Sequence, residues 1–390
     1  LDNHATTRVD PRVVEAMLPF WSDKYGNAGS TSHVWGRACA EAVDQARRSL
    51  AQTLHASPRE IVFTSGATES NNLAIRGLAE RRRGEGGHIV SVETEHKAVL
   101  DPLARLARRG FRVTHLGVAP HDRPDAGRID VQRLADALSP DTFLVTVMLA
   151  NNEIGVIQPL AEIAALCRER SVVLHTDATQ AVGHMPVDVQ QLQVDLLSLS
   201  AHKFCGPKGI GALFVRREGR LVRLNSQIDG GGQEGGLRSG TLNVPAIVGM
   251  ARALELCNEE MDQERQRLAQ LRQRLFDGLR RGIPDVVLNG PTLDDAAVRL
   301  PGNLNCRFPR VDGETLMLKV PDVACSSGSA CTSASPAPSH VLRALGLDAD
   351  QVRNSLRFGL GRFNTVDEID YAAEAISAAV RLLRRPVHLD

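Results

Sequence analysis

The sequence predicts an α/β protein in which a mostly parallel sheet is flanked by helices and followed by a smaller α+β domain. Three observations predict this fold class. From about residue 61, short apolar runs alternate with helical patterns, which is typical of βαβ units. The apolar runs are continuous rather than alternating, as expected for strands that helices cover on both faces. After Gly240 the pattern changes to a long helical region followed by short strand candidates.

Each element follows from its own local pattern. Seven strands are predicted in the first part, at 61–63, 88–92, 111–116, 142–149, 172–175, 195–200 and 211–215. Helices are predicted between them, at 98–109, 131–138 and 160–170. The second part is predicted to hold one long helical region at 244–281, strands at 298–300, 303–308 and 355–358, and helices at 314–318 and 366–383. We therefore expect a large domain at 13–255 and a small domain formed by 1–12 and 256–390.

Composition narrows the class of protein. The 390 residues suit two domains, and Lys+Arg and Asp+Glu both number 46, so no global field attracts nucleic acid or anionic membrane. We expect neither as a direct partner.

The most apolar run, 143–150, is far short of the ~20 residues of a membrane span. Seven cysteines without a Cys-x-x-Cys pair predict a reduced, cytoplasmic protein. Because the sequence starts at Leu1 rather than Met, we expect a trimmed start.

A carboxylate and a lysine follow two successive apolar runs. Asp177 ends one run and Lys203 follows the next, 203 − 177 = 26 residues later, which is about one βαβ crossover. Their side chains are then expected at neighbouring strand ends, where parallel sheets bind ligands. Pyridoxal phosphate (PLP) needs this pair, a lysine for its aldehyde and an acid for its ring nitrogen. A buried Asp–Lys ion pair is the structural alternative.

Two further strand ends carry candidate ligands. The run 64–70 (TSGATES) opens a helix with small residues, which suits a phosphate at a helix N-terminus. The alternative is an ordinary N-cap by Ser65 or Thr68. His96 follows another strand end, where it can cap a helix or stack on an aromatic cofactor and move protons.

Small residues dominate the stretch from Cys325 to Pro336, which lacks any large apolar side chain. Such a stretch cannot anchor itself in a core, so a cysteine within it is expected to be exposed and to serve as a nucleophile. Cys331 is the candidate. The alternatives are a disulfide between Cys325 and Cys331, or two passive thiols.

Taken together, these motifs resemble cysteine desulfurases of the NifS/IscS-like group. The matching segments run in the same order along nearly the whole chain: LDNHATT at 1–7, TSGATE at 64–69, NNEIG at 151–155, SAHK at 200–203, GPKG at 206–209, RSGT at 238–241 and SSGSACTSAS at 326–335. Each motif alone is weak, and the ordered set is specific. The resemblance implies a homodimer of PLP-dependent fold-type I subunits.

The resemblance also assigns roles to catalytic residues. Lys203 matches the lysine that binds PLP covalently, and Asp177 matches the partner of the pyridinium nitrogen. Gln180 matches the group that hydrogen-bonds the phenolic oxygen of PLP, and His96 matches the histidine stacked on its ring. Cys331, on a loop at about 325–338, matches the nucleophile that accepts sulfur. No resident metal is implied, and Cys331 is at most a transient iron–sulfur ligand.

The remaining ligands are implied in the same way. Asn152, which is also expected to contact PLP, and Arg357 match the groups that hold the substrate carboxylate, for which a planar guanidinium is apt. The phosphate ligands are expected at Ala67, Thr68, Ser200 and His202, and at Thr241 reaching across from the other subunit.

The implied activity is L-cysteine desulfuration, a sulfurtransferase reaction that yields L-alanine and a Cys331 persulfide. The persulfide sulfur would pass to an acceptor protein for iron–sulfur cluster assembly, tRNA thiolation or DNA sulfur modification. Two alternatives stay open from the residues: a PLP aminotransferase or β-lyase with Cys331 as a bystander, and a thiol relay that uses Cys325 and Cys331 without a cofactor. The sequence departs from the family pattern at Cys325, usually a small apolar residue, and at Pro336-Ala337, where Leu-Glu is common.

Overall fold

The computed structural model describes residues 1–82, 85–327, 329–330 and 337–385, with the backbone alone at 329, 330 and 337. Cys331 therefore lies outside the described residues, together with much of the predicted loop at 325–338. No helix in the described part of the chain combines the length and apolar composition that a membrane span needs.

A seven-stranded sheet forms the centre of the larger part. Its strands are β1 Ile61–Thr64, β2 His88–Val92, β3 Arg112–Leu116, β4 Thr142–Thr146, β5 Val173–Asp177, β6 Leu196–Ser200 and β7 Gly211–Val215. The strand order is β1-β7-β6-β5-β4-β2-β3. All pairs are parallel except those of β7, which runs antiparallel to β1 and β6. The short link from β6 to β7 has no crossover helix, so the chain returns antiparallel. The expected mostly parallel sheet is confirmed.

Eight helices accompany this sheet within the described residues. They are α1 Pro11–Met17, α2 Val34–Thr53, α3 Ala67–Glu80, α4 Lys97–Ala107, α5 Val131–Ala137, α6 Leu160–Glu169, α7 Val189–Leu192 and α8 Val244–Glu259. The sequence analysis assigned no element before residue 61 and so missed α1 and α2. Helix α2 buries Cys39, Val43, Ala46 and Leu50, a spacing of three and four residues that is typical of an amphipathic helix.

The second part packs helices on a four-stranded antiparallel sheet of order β10-β13-β9-β8. Its strands are β8 Val287–Leu288, β9 Asn303–Arg307, β10 Ser326–Ser327 and β13 Ser355–Gly359, and a separate pair joins β11 Ser329–Ala330 to β12 Ala337–Pro338. The helices of this part are α9 Met261–Gly282, α10 Gly313–Lys319, α11 His340–Ala344, α12 Ala349–Arg353 and α13 Val366–Leu383. A smaller α+β unit is confirmed.

Two sequence predictions in this part are wrong. The single helical region at 244–281 is two helices, which meet at Glu260 because the backbone there leaves the helical conformation. The Glu260 carboxylate accepts hydrogen bonds from Arg12 and forms an ion pair with Arg362, which fixes the break. Residues 298–300 form no strand. They make only an isolated bridge, between Val156 and Arg299, because their backbone pairs with the segment at 155–157.

Helix α8 packs into one apolar core and α9 into another. The core around the large sheet takes most buried side chains from Val13 to Cys257, and the core around the small sheet takes most of those from Leu268 to Val380. The buried side chains of 341–352 form a separate cluster with residues of the first part at 126–156. The domain boundaries given above stay a prediction. The N-terminal segment touches both parts, because Leu1 and Asn3 pair with Gly359 while Thr7 pairs with His202.

Replacement of Leu275 by Ala is expected to destabilise the protein by about 2–5 kcal/mol, because Leu275 is fully buried on α9 and its loss leaves a cavity. Leu318, on α10, is 80% exposed, so Leu318→Ala is the matched control and should change the free energy of unfolding by less than about 0.5 kcal/mol. Urea unfolding monitored by circular dichroism measures both. Equal effects of the two substitutions would contradict the assigned packing of α9.

Candidate active site

A cavity of about 490 Å³ opens at the carboxyl edge of the large sheet. Residues that end or follow β2, β4, β5 and β6 line it, together with the first turn of α3. It contains nine of the residues expected to bind PLP or substrate, namely Ala67, Thr68, His96, Asn152, Asp177, Gln180, Ser200, His202 and Lys203. The expected convergence of these strand ends is therefore observed.

Asp177 is a buried carboxylate whose hydrogen-bond donors are neutral. Its Oδ2 accepts from Asn71 Nδ2 at 2.7 Å, and its Oδ1 accepts from the backbone N–H of Thr179 at 3.0 Å. Only 6% of the residue is exposed, and that part faces the cavity. A buried anion without a cationic partner is costly. A protonated ring nitrogen in the cavity would supply the missing positive charge.

Lys203 lies on the adjacent strand end, as predicted, because β5 and β6 are parallel neighbours. Its Nζ donates hydrogen bonds to the carbonyl oxygens of His4 at 2.6 Å and Ala5 at 2.8 Å. The ion pair with Asp177 that the sequence left open is not formed. The pKa of Lys203 is lowered to about 8, mainly by burial and then by the positive charge of Arg357, while the charge of Asp177 opposes the shift. A larger fraction of Lys203 is therefore neutral and nucleophilic near pH 8 than of an exposed lysine.

The start of α3 forms a pocket for an anion. The N-cap residue is Gly66, with φ of 151° and ψ of 178°, and no side chain among the described residues caps this end. The N-cap alternative for Ser65 or Thr68 is therefore wrong. That backbone conformation is essentially restricted to glycine. Gly211 is also required, since a Cβ there would lie 2.6 Å from the Cα of Gly66.

Side chains from the β6 end complete the anion pocket. Ser200 and His202 line it beside the first residues of α3. Burial is the main cause that lowers the pKa of His202 to about 4, and the charges of Lys203 and Lys208 add to it. His202 is therefore neutral at physiological pH. Backbone N–H groups at a helix N-terminus with neutral side-chain donors suit a phosphate, so the residues present fit PLP.

His96 and Gln180 border the cavity. The Nδ1 of His96 accepts a hydrogen bond from the backbone N–H of Ala98, so His96 caps α4 and also faces the cavity. Desolvation lowers its pKa, so the ring is neutral and its proton lies on Nε2. Gln180 is held by His4, whose Nδ1 contacts Oε1 at 2.9 Å and whose carbonyl accepts from Nε2 at 3.0 Å. The second N–H of Gln180 remains for a ligand.

Arg357 lies behind the cavity wall rather than in its lining. Its Nη1 donates to the carbonyl oxygen of Asn152 at 3.3 Å, so the two residues expected to bind the substrate carboxylate are adjacent. Thr241 is exposed and does not line the cavity of its own subunit. Cys331 lies outside the described residues.

Sequence reasoning missed several residues of this site. Asn71 orients Asp177, His4 holds both Gln180 and Lys203, and Lys208 reaches the cavity from the GPKG motif. The polar pair at 71–72, directly before the apolar run at 73–75, was a signal for Asn71. The motifs at 1–7 and 206–209 were noted without a role. No local pattern predicts that the carbonyl of His4 faces Lys203.

Comparison with known proteins shows which family the whole chain resembles. The aminotransferase class-V family model matches residues 1–372. A protein of Anaeromyxobacter dehalogenans (strain 2CP-C) named cysteine desulfurase IscS is 54% identical over 385 residues, covering 98% of this chain and 93% of the relative. A solved NifS-like protein has a TM-score of 0.89 and 37% identity, covering 98% of each chain. A solved structure of SspA in complex with cysteine has a TM-score of 0.80 and 38% identity, covering 93% of this chain and 99% of that one.

The lowered pKa of Lys203 predicts how the apoprotein should react with added PLP. Only the neutral amine attacks an aldehyde, so the rate should rise with pH to a midpoint near 8 and then level off. An ordinary lysine would give a midpoint near 10.5. Stopped-flow absorbance in the visible band measures the rate, and Lys203→Ala, which should give no such band, is the control. A midpoint near 10.5 would contradict the described environment of the amine.

Proposed function

Because the chain belongs to the aminotransferase class-V family, and is a PLP-dependent cysteine desulfurase of fold-type I, we propose that Asp177, Lys203 and Cys331 are its principal catalytic residues. One observation carries the proposal. Asp177 and Lys203 face the same cavity from neighbouring strand ends, and each is held by neutral groups rather than by the other. A structural ion pair would have joined them.

Different side chains would hold different parts of the cofactor. Lys203 would bind PLP covalently, the start of α3 with Ser200 and His202 would hold its phosphate, and Asp177 would keep its ring nitrogen protonated. When bound, PLP withdraws electrons from the substrate carbons next to the amine. Gln180 would donate its second N–H to the phenolic oxygen. The Asp177 carboxylate would stabilise the nitrogen proton, since its hydrogen-bond donors among the described residues are neutral.

Proton movement falls to two residues. The Nζ of Lys203 would take the proton from the α-carbon of cysteine, and its lowered pKa suits a base that must also return a proton near neutral pH. The Nε2–H of His96 would donate to groups of the substrate, since its Nδ1 is occupied as the cap of α4. Arg357 and Asn152 would hold the substrate carboxylate. The solved relative that carries cysteine supports the choice of substrate.

Cys331 would accept the sulfur. The carbon–sulfur bond of cysteine breaks, a sulfur–sulfur bond to Cys331 forms, and the carbon takes a proton, so the products are L-alanine and a persulfide without an external oxidant. We propose that an acceptor protein then takes the sulfur, for iron–sulfur cluster assembly, tRNA thiolation or DNA sulfur modification. The cytoplasm is the compartment we propose, because Cys331 must remain a thiol.

The two cysteines at the loop test this assignment. Cys331→Ser should bind PLP and cysteine but release no alanine and form no persulfide. Cys325→Ser is the matched control and should keep most activity, because burial raises the pKa of Cys325 to about 11 and leaves it a protonated, poor nucleophile. Alanine release and mass spectrometry of the trapped peptide measure the outcome. A sulfur adduct on Cys325, or pyruvate, ammonia and sulfide as products, would overturn it.

A homodimer is also part of the proposal. Thr241 is exposed and lies away from its own cavity, so its expected contact with phosphate needs a second subunit. The segment 18–35 exposes a group of large apolar side chains, defined here as the apolar face: Leu18, Trp21, Tyr25, Val34 and Trp35. Tyr25 and Trp35 stack with ring centroids 6.4 Å apart. A second copy of the chain is the occupant we assign to this face.

Trp35→Glu is expected to shift the mass in analytical ultracentrifugation from about twice 42.2 kDa to 42.2 kDa, because a charge on the apolar face opposes its burial. The same variant should retain PLP less well, since the phosphate would lose Thr241. Tyr371→Glu on α13 is the matched control, as Tyr371 is similarly exposed but lies in the small domain, and it should remain dimeric. A dimeric Trp35→Glu protein would contradict this interface.

A further inference from the structure

The N-terminal segment places a carboxylate beside Arg357. Asp2 bridges Gly359, the last residue of β13, and the backbone of Leu1 and Asn3 pairs with the same residue on either side. Arg357 lies two residues earlier on β13. The Nη2 of Arg357 donates to Asp2 Oδ1 at 2.9 Å, and 11% of the Arg357 side chain is exposed against 28% of Asp2.

Ser326 hydrogen-bonds both Arg357 and Asp2. Ser326, on β10, pairs with Arg357 across the small sheet. Its Oγ accepts from Arg357 Nη2 at 2.8 Å and donates to Asp2 Oδ1 at 2.8 Å. The carboxylate of Asp2 is therefore fixed in place by two donors. Three separate parts of the chain, the N-terminal segment, β10 and β13, meet at this guanidinium.

Arg357 keeps donors for another anion. Its Nε is buried and has no partner among the described residues. Its Nη1 reaches the carbonyl oxygen of Asn152, a cavity residue, over a long 3.3 Å. A guanidinium has five N–H donors arranged as a fork that matches a carboxylate. Asp2 uses the donor on one side of that fork.

We propose that the Asp2 carboxylate is an internal competitor for the substrate carboxylate at Arg357, and so tunes the affinity for α-amino acids. The inference rests on the proposed function, in which Arg357 binds the substrate carboxylate. Two carboxylates on one guanidinium repel each other. Asp2 therefore weakens the binding of L-cysteine and of the product L-alanine, and it leaves amines without a carboxylate unaffected. Asp2 is a positioning residue and takes no part in bond making.

The effects of Arg357 and Asp2 on the pKa of Lys203 agree with the contact between them. Arg357 lowers the pKa of Lys203, whereas Asp2 raises it, so the two act on the amine in opposite directions. The effect of Arg357 on this pKa is the larger of the two. An arriving carboxylate must share Arg357 with Asp2, and its interaction with the guanidinium is reduced to that extent.

The test removes the charge and keeps the shape. Asn at position 2 retains an Oδ1 that can accept from both Arg357 and Ser326, so Asp2→Asn should fold normally, as an unchanged melting temperature would show. The PLP-loaded enzyme is titrated with L-alanine and, separately, with ethylamine, and binding is followed by the visible absorbance of the cofactor. The dissociation constant for L-alanine should fall about fivefold, the lower end of ordinary coupling between two ligands. That for ethylamine should stay within about twofold.

Two further variants separate the possible failures. Asp277→Asn removes an exposed charge of the same sign on α9 and should leave both dissociation constants unchanged. Arg357→Ala should raise the dissociation constant for L-alanine and leave that for ethylamine unchanged. If Arg357→Ala has no effect on L-alanine, the proposed role of Arg357 is wrong and the inference falls with it. If Arg357→Ala behaves as expected but the dissociation constant of Asp2→Asn for L-alanine is unchanged or higher, the inference alone is overturned.

Discussion

The Asp177 carboxylate lies at the end of β5 in a place where water barely reaches, and its hydrogen-bond donors among the described residues are an amide and a backbone N–H. This constraint organises the elements around it. Asn71 must project from α3 toward β5, which requires α3 to pack across the sheet with its N-terminus at the cavity. The same packing brings the anion pocket and the carboxylate to the same cavity. Helix α3 therefore contributes to the pocket through its first turn and to the orientation of Asp177 through Asn71.

Among the described residues, the layer beneath Asp177 is polar and supplies it with no cationic hydrogen-bond donor. His175, one pleat earlier on the same side of β5, contacts Thr146 of β4 and Ser198 of β6 through its two ring nitrogens, and burial lowers its pKa to about 4. Such a buried ring is tolerated because both nitrogens are hydrogen-bonded and the ring is uncharged. Glu95 is also buried, desolvation raises its pKa well above its ordinary value, and one of its oxygens accepts a backbone hydrogen bond. The cavity side is therefore open to a positive charge that would pair with Asp177.

Local patterns in the sequence predicted much of this arrangement. All seven strands of the large sheet are real, and the positions of Asp177 and Lys203 at the ends of neighbouring parallel strands followed from the periodicity and the spacing alone. Long-range contacts were beyond such reasoning. Asn71 hydrogen-bonds Asp177, which lies 106 residues later in the sequence. The carbonyl of His4 accepts from Lys203, 199 residues away. Arg357 donates to Asp2, 355 residues away. The contacts of His4 with Lys203 and of Asp2 with Arg357 leave no local trace in the sequence. The polar pair at 71–72 marks Asn71, but nothing near it indicates that Asp177 is its partner. The break at Glu260 was missed for the same reason, since a distant arginine fixes it.

The apolar face has a further consequence for the spectroscopy of the protein. The chain contains two tryptophans, Trp21 and Trp35, and both lie on that face with more than half of their surface exposed. Neither core contains an indole, so the intrinsic fluorescence of the protein reports on the surroundings of this one surface. Emission from a covered face is shifted to shorter wavelengths, and emission from a bare face is shifted to longer ones. The molecule thus carries its own optical reporter of whether this face is covered.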